Sequence, residues 1–268
     1  MSSEQMANKG NRSGRVVLFA SLVILLIALF VLDLFIGSVR IPVADVFKIL
    51  MGRGDNEVWQ TIVNDFRLPK AIAAVLVGSA LSVSGLQMQT VFRNPLAGPY
   101  VLGISSGAGL GVAIMVLGAS ALGFGNASGM LTGLSLVGAA WLGALLVLTV
   151  ILAVSLRVKD IMTILILGMM FGSAASALVS ILQYSGSEPM IKAFVIWTMG
   201  SLQSVAGVHL VIFSASVAVG LVLSISSIRI LNVMLLGESY SKTVGLNIIV
   251  ARVVIFASTG LLAGAVTA

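Results

Sequence analysis

Few residues of this chain could do chemistry, and most of those carry no charge. There is one histidine, His209, and no cysteine, so disulfides and thiolate metal sites are excluded. His209 lacks an H-E-x-x-H context and falls at the outer start of an apolar run, so it reads as an interfacial side chain before a metal ligand. No serine–histidine or carboxylate pair can be assembled within apolar segments, so no catalytic residue and no metal site are assigned, and an intramembrane enzyme is set aside. No G-x-x-x-x-G-K-[ST] occurs, so the chain is not expected to cradle ATP phosphates itself. Asp33 is the one ionisable residue expected inside a span, near its outer end and within reach of water; a structural role is expected before a proton route. A bare-cation channel or proton-coupled carrier places carboxylates at depth. This chain offers Gly, Ser, Thr, Met and Gln there, a lining suited to a bulky solute whose charge is shielded by its own chelator. An ion-coupled secondary transporter or channel is the rival reading.

Several neutral groups recur at helical spacing. Gly103, Gly107 and Gly111 form a four-spaced stripe that lets another backbone approach closely in lipid. Gly168, Gly172, Ser176 and Ser180 form a second, with Met169 and Met170 beside it; helix packing and the flank of a translocation pathway are both compatible with it. Gln87 and Gln89, near the inner end of their run, are expected to make packing hydrogen bonds first and to line or gate a pathway second. Arg93-Asn94-Pro95 must break the helix, because proline disfavours helical geometry in the residue before it. Arg67 and Lys70 cap the outer end of a run, where long cationic side chains snorkel to headgroups.

These residues need a membrane around them. Of 268 residues, 59% are hydrophobic and 9% charged, with a mean hydropathy of +1.14. A soluble surface uses about a quarter charged residues. The net charge of +6 fits loops kept on the cytosolic face better than a nucleic-acid stripe, since no basic patch interleaves with aromatics. Apolar runs predict spans over 16–35, 68–91, 101–122, 131–156, 161–182, 208–228 and 248–268. The fold class is therefore all-α, a polytopic transmembrane helical bundle. A cytosolic N-terminus puts Lys9, Arg12, Arg15, Arg93, Arg157, Lys159, Arg229, Lys242 and Arg252 inside, against Arg40, Lys48, Arg53, Arg67, Lys70 and Lys192 outside. Residues 1–15 form a cytosolic tail. The outer loop 37–66 carries two expected surface helices, one with Val43, Val46, Phe47 and Leu50 and one with Trp59, Ile62, Val63 and Phe66. Residues 189–200, with proline at the start and glycine at the end, predict a half-helix too short to cross. Residues 229–247 form a cytosolic connection in which Met234, Leu235 and Leu236 keep an apolar patch able to enter a partner's groove.

The motifs FRLPKAIAAVLVGSALSVSGLQMQ, FRNPLAGPYVLGISSGA and LLGESYSKTVGLN, in this order from about residue 32 to the last, resemble the FecCD-type permeases of ABC importers. The resemblance implies a single permease domain over 1–268, lying in the inner membrane of a bacterium. It implies a homodimer with two cytosolic ABC ATPase subunits, which supply ATP and Mg, and an extracytoplasmic binding protein. No cofactor is expected in this chain. The implied cargo is an iron–siderophore chelate, haem or cobalamin, with siderophore iron preferred on family frequency. Leu236, Gly237, Glu238, Ser239 and Gly245 fall in the segment that docks on the ATPase; Ser241 stands where alanine is frequent, an exchange expected to be silent. Arg67 and Lys70 match the motif that salt-bridges to the binding protein. At spans of about 20 residues each, the family has about ten and this chain about seven. ASTGLLAGAVTA stays apolar to the final residue, which leads to the expectation of a C-terminally incomplete sequence.

Overall fold

The computed structural model describes residues 3–118, 133–158, 160–203 and 205–268, and every regular element within them is a helix. Among the described residues, six helices are long and apolar enough to cross a membrane. Two compact units divide the chain, Met1–Ile72 and Ala73–Ala268.

The first unit opens with α1 (Ser3–Phe35), then α2 (Val43–Leu50) and α3 (Glu57–Thr61). Asn56 starts α3 by accepting the Trp59 N–H at 3.2 Å. Helix α3 is not a separate surface helix, contrary to the sequence expectation. It continues through a π-helical stretch, Ile62–Arg67, into α4 (Leu68–Phe92), and the Leu68 N–H reaches back five residues to the Val63 carbonyl. The wider turn buries Val63 and Arg67 together. Val63 joins Ile41, Val46 and Ile49 in a small core with Phe35, Trp59 and Ile62 packed on it. The inner face of α2 is thus Val46 and Ile49, while Val43, Phe47 and Leu50 face outward. The Phe35 and Phe47 rings pack at 5.7 Å.

The second unit holds the remainder of α4. After it come a 3₁₀ turn (Pro99–Leu102), α5 (Ile104–Val116), α6 (Gly133–Arg157), α7 (Ile161–Ser185), α8 (Glu188–Met199), α9 (Gly207–Ser226), α10 (Ile228–Met234), α11 (Glu238–Thr243) and α12 (Ile248–Thr267). The span expected over 101–122 begins later, because Pro99 opens a 3₁₀ turn and Gly103 at φ +72° redirects the chain before α5. Its end, like the start of the span expected from 131, lies outside the described residues. The half-helix is present as α8, closed by Gly200 at φ +71°.

The small-residue stripe brings backbones together as expected. A Cβ on Gly143 would lie 2.1 Å from the Gly107 carbonyl oxygen, and one on Gly111 would lie 2.2 Å from that of Ala139. Helices α5 and α6 therefore touch main chain to main chain. A Cβ on Gly168 would likewise lie 2.2 Å from the Val101 oxygen, seating α7 on the 3₁₀ turn. Among the described spans α12 is the most enclosed, with 67% of its most apolar stretch buried. Phe256 stacks on Phe92 at 6.1 Å, and Leu262 fills the space over Gly220.

Candidate functional site

Helix α10 ends at Met234, and the chain turns at Gly237, φ +105°, into the six-residue α11. Gly245, φ +88°, turns it again, and Asn247 accepts the N–H groups of Ile249 and Val250 to start α12. Met234 does not belong to the exposed patch assigned to it; it is buried in the core with Phe92, Ala97 and Phe256. The outward apolar residues are Leu235, Leu236 (63% exposed), Tyr240 and Val244, with Ser239 also exposed. Ser241 is buried and bonded. Its buried hydroxyl donates to the Gly237 oxygen at 2.8 Å and the Val233 oxygen at 3.1 Å, pinning α11 to α10. Alanine there leaves two carbonyls without that donor.

The Arg93-Asn94-Pro95 turn lies against this segment. Arg93 adopts φ +49°, and its guanidinium covers Gly237 so closely that a Cβ there would come within 3.2 Å of Nη1. The Asn94 side chain accepts the Leu96 N–H at 2.9 Å, and Gln89 donates to the Pro95 oxygen at 3.1 Å. Gln89 thus belongs to the turn.

Gln87, 1% exposed, sits where α4, α9 and α12 meet. Its amide nitrogen donates to Ser224 at 3.1 Å and Ser258 at 3.2 Å, and its oxygen accepts from Thr259 at 2.7 Å. Ser224 and Ser258 are themselves 2.7 Å apart. This is the packing role foreseen for Gln87. Its four hydroxyl partners, Ser227 included at 3.4 Å, went unrecognised. Serines and threonines on separate apolar helices carry no sequence sign that they converge.

An open groove of about 440 Å³ lies between the 3₁₀ turn, α5 and α7, lined by Tyr100, Val101, Ser106, Gly168, Met169, Gly172, Ser173 and Ser176. Ser173 and Ser176 donate to carbonyls one turn back in their own helix, so the lining is polarised but carries no charge. Ser180 continues the stripe beyond the groove and bonds the Ser176 oxygen.

Two cationic residues stand otherwise than foreseen. Arg67, 8% exposed, donates through Nη1 to the oxygens of Leu34 (2.8 Å) and Phe35 (3.2 Å), and through Nη2 to Val39. It caps the C-terminus of α1, where orphan carbonyls and the negative dipole end attract a cation, and so presents little charge to a soluble partner. Lys70 pairs with Asp33 at 3.1 Å while keeping an exposed stem, which gives Asp33 a structural partner. Arg252, placed among loop charges by its sequence position, is instead 2% exposed inside the first turns of α12. It donates to the Val158 oxygen at 3.1 Å, just past the end of α6. Across that turn Asp160 caps α7, its oxygens accepting the Thr163 hydroxyl (2.7 Å) and the N–H groups of Thr163 and Met162. The Thr163 hydroxyl and N–H hold the Asp160 carboxyl below its ordinary range against an opposing effect of desolvation, with smaller help from the Met162 N–H and least from the Arg252 charge.

A family model described as the FecCD transport family matches residues 25–268. The chain belongs to the FecCD transport family. It is thus a multi-pass permease of ABC-importer type. The Hemin transport system permease protein HmuU of Yersinia pestis is 32% identical over 96% of this chain and 75% of its own length. The Vitamin B12 import system permease protein BtuC of Escherichia coli O127:H6 is 34% identical over 90% of this chain and 69% of its own length. Among solved structures, an inward-facing conformation of a putative metal-chelate type ABC transporter superposes with a TM-score of 0.75 at 29% identity, covering 94% of this chain and 75% of that one. These FecCD relatives favour the importer over an ion-coupled carrier.

Proposed function

We propose that this chain is the membrane-spanning subunit of a binding-protein-dependent importer that carries a metal chelate of the iron–siderophore, haem or cobalamin class across the cytoplasmic membrane. Two copies work with two cytosolic ATPases, and the N-terminus lies in the cytosol. The observation that carries this reading is the exposed apolar surface of Leu235, Leu236, Tyr240 and Val244, on the connection from the end of α10 through α11, which the buried Met234 and Ser241 anchor from beneath. An exposed apolar helix face on a polar connection suits a partner's groove. ATP and Mg bound in that partner supply the energy. In this chain, α10 and α11 receive the movement, the Arg93 turn and α12 lie directly against them, and the uncharged groove beside α7 passes a solute that brings its own charge shield. At the outer face, Lys70 orients the incoming binding protein, since exposed pairs contribute only ~0–1 kcal/mol and steer more than they hold.

The test is co-purification. The cognate ABC ATPase should accompany the native protein in detergent and be lost from the Leu236→Asp/Tyr240→Asp variant, with the variant's helical content unchanged. Retention by that variant would remove the docking assignment. Uphill solute movement in vesicles containing the permease without any nucleotide hydrolase would remove the importer reading.

A further inference from the structure

Among the described residues the largest fully buried side chain is a cation, and the importer scheme leaves it without a task. Arg252 lies one turn into α12, five residues after Asn247, the cap that ends the coupling connection. Its Nη1 bonds the Val158 oxygen at 3.1 Å, in the turn between α6 and α7. On the other side of that turn Asp160 caps α7 through Met162 and Thr163 and feels the Arg252 charge. One guanidinium therefore bonds the carbonyl just past the end of α6, exerts a weak attraction on the carboxylate that begins α7, and is carried by the helix that follows α11 directly. A charge this enclosed persists only where fixed dipoles and an opposite charge replace water. Helix α7 in turn supplies Gly168, Met169, Gly172, Ser173 and Ser176 to the groove.

We infer that Arg252 is the positioning residue that ties the coupling connection to α7, so that displacement of α11 moves the groove-lining helix with it. The route runs from α11 through Gly245 and Asn247 into the first turns of α12, across the guanidinium to Val158 and on to Asp160, and along α7. Packing alone would let α12 slide past that turn, whereas a charge-assisted bond to a helix terminus gives the contact a fixed register. The assignment rests on the importer reading above.

The experiment uses the complete transporter, permease with ATPase and binding protein, and exploits the absence of cysteine from this chain. Spin labels at Met162→Cys and Lys242→Cys, both on exposed residues outside the docking face, report the α7–α11 separation. The expected result is one narrow distance, the same with and without trapped nucleotide, that broadens in Arg252→Met. In Arg252→Met the solute transported per ATP hydrolysed should fall roughly tenfold, the size of an ordinary coupling between sites, with ATPase association retained. Arg252→Lys should restore part of that ratio. A separation that changes by several ångströms between nucleotide states in the native protein would overturn the tie, as would native transport efficiency in Arg252→Met. Should Arg252→Met fail to fold, the native distance measurement decides alone. Loss of ATPase association from the native chain would instead indict the importer reading, and the broadening in Arg252→Met would still report whether α7 and α11 are held together.

Discussion

At the residue scale, the polar side chains of this chain serve helix contacts and helix ends. Gln87 makes this measurable. Replacing it with leucine leaves Ser224, Ser258 and Thr259 facing one another without their shared amide. Bonds between membrane helices average about 0.6 kcal/mol and reach about 1.7, so losing several together should cost about 1–2 kcal/mol. Denaturant unfolding in detergent would read it, and Gln87→Leu as stable as the native protein would show the network to be idle. Asp160 gives a pH signature. Its folded pKa is depressed, so its contribution is complete above the ordinary carboxylate pKa and is lost as pH falls through the lower, folded value. Thermal stability in detergent should therefore decline in acid below that ordinary value. Asp160→Asn, which still caps but does not titrate, should lack that part of the decline. Identical acid profiles would refute this role.

At the element scale, main-chain contact between α5 and α6 sets the tightest requirement. Gly143→Ala places a methyl group 2.1 Å from a carbonyl oxygen on a neighbouring helix, with no flexible side chain to give way. Overpacking of this kind costs about 1–3 kcal/mol. Gly138→Ala on the same helix, with open space around its Cα, is the control and should be neutral or slightly stabilising by helix propensity. Equal melting temperatures for the two variants would mean that α6 shifts at no cost. The stripe was readable because four-residue spacing is a property of one helix alone. The partner it meets was not, since Gly143 reaches Gly107 only when two distant segments pack.

At the scale of the whole molecule, the surface to watch is the one left by α10 and α11. Met234 and Leu236 are two residues apart, yet one is buried and the other exposed. A membrane-impermeant maleimide should label Leu236→Cys rapidly and Met234→Cys hardly at all, and a bound ATPase should shield the former. Unshielded labelling at Leu236→Cys in the assembled complex would place the ATPase elsewhere. Composition, hydropathy and the order of the RLPK, RNPLAG and LLGE motifs were enough to establish a polytopic helical permease of the FecCD type and the approximate place of each long helix, because hydrocarbon allows few backbone solutions and the spans are local. Which polar group meets which is another matter. Arg67 turned into a helix cap, Arg252 into a buried tie and Met234 into core because each is defined by carbonyls and side chains dozens of residues away. A long cationic side chain at a span end has the same local sequence whether it reaches lipid headgroups, a partner or an orphan carbonyl, and its choice is made only when the helices come together.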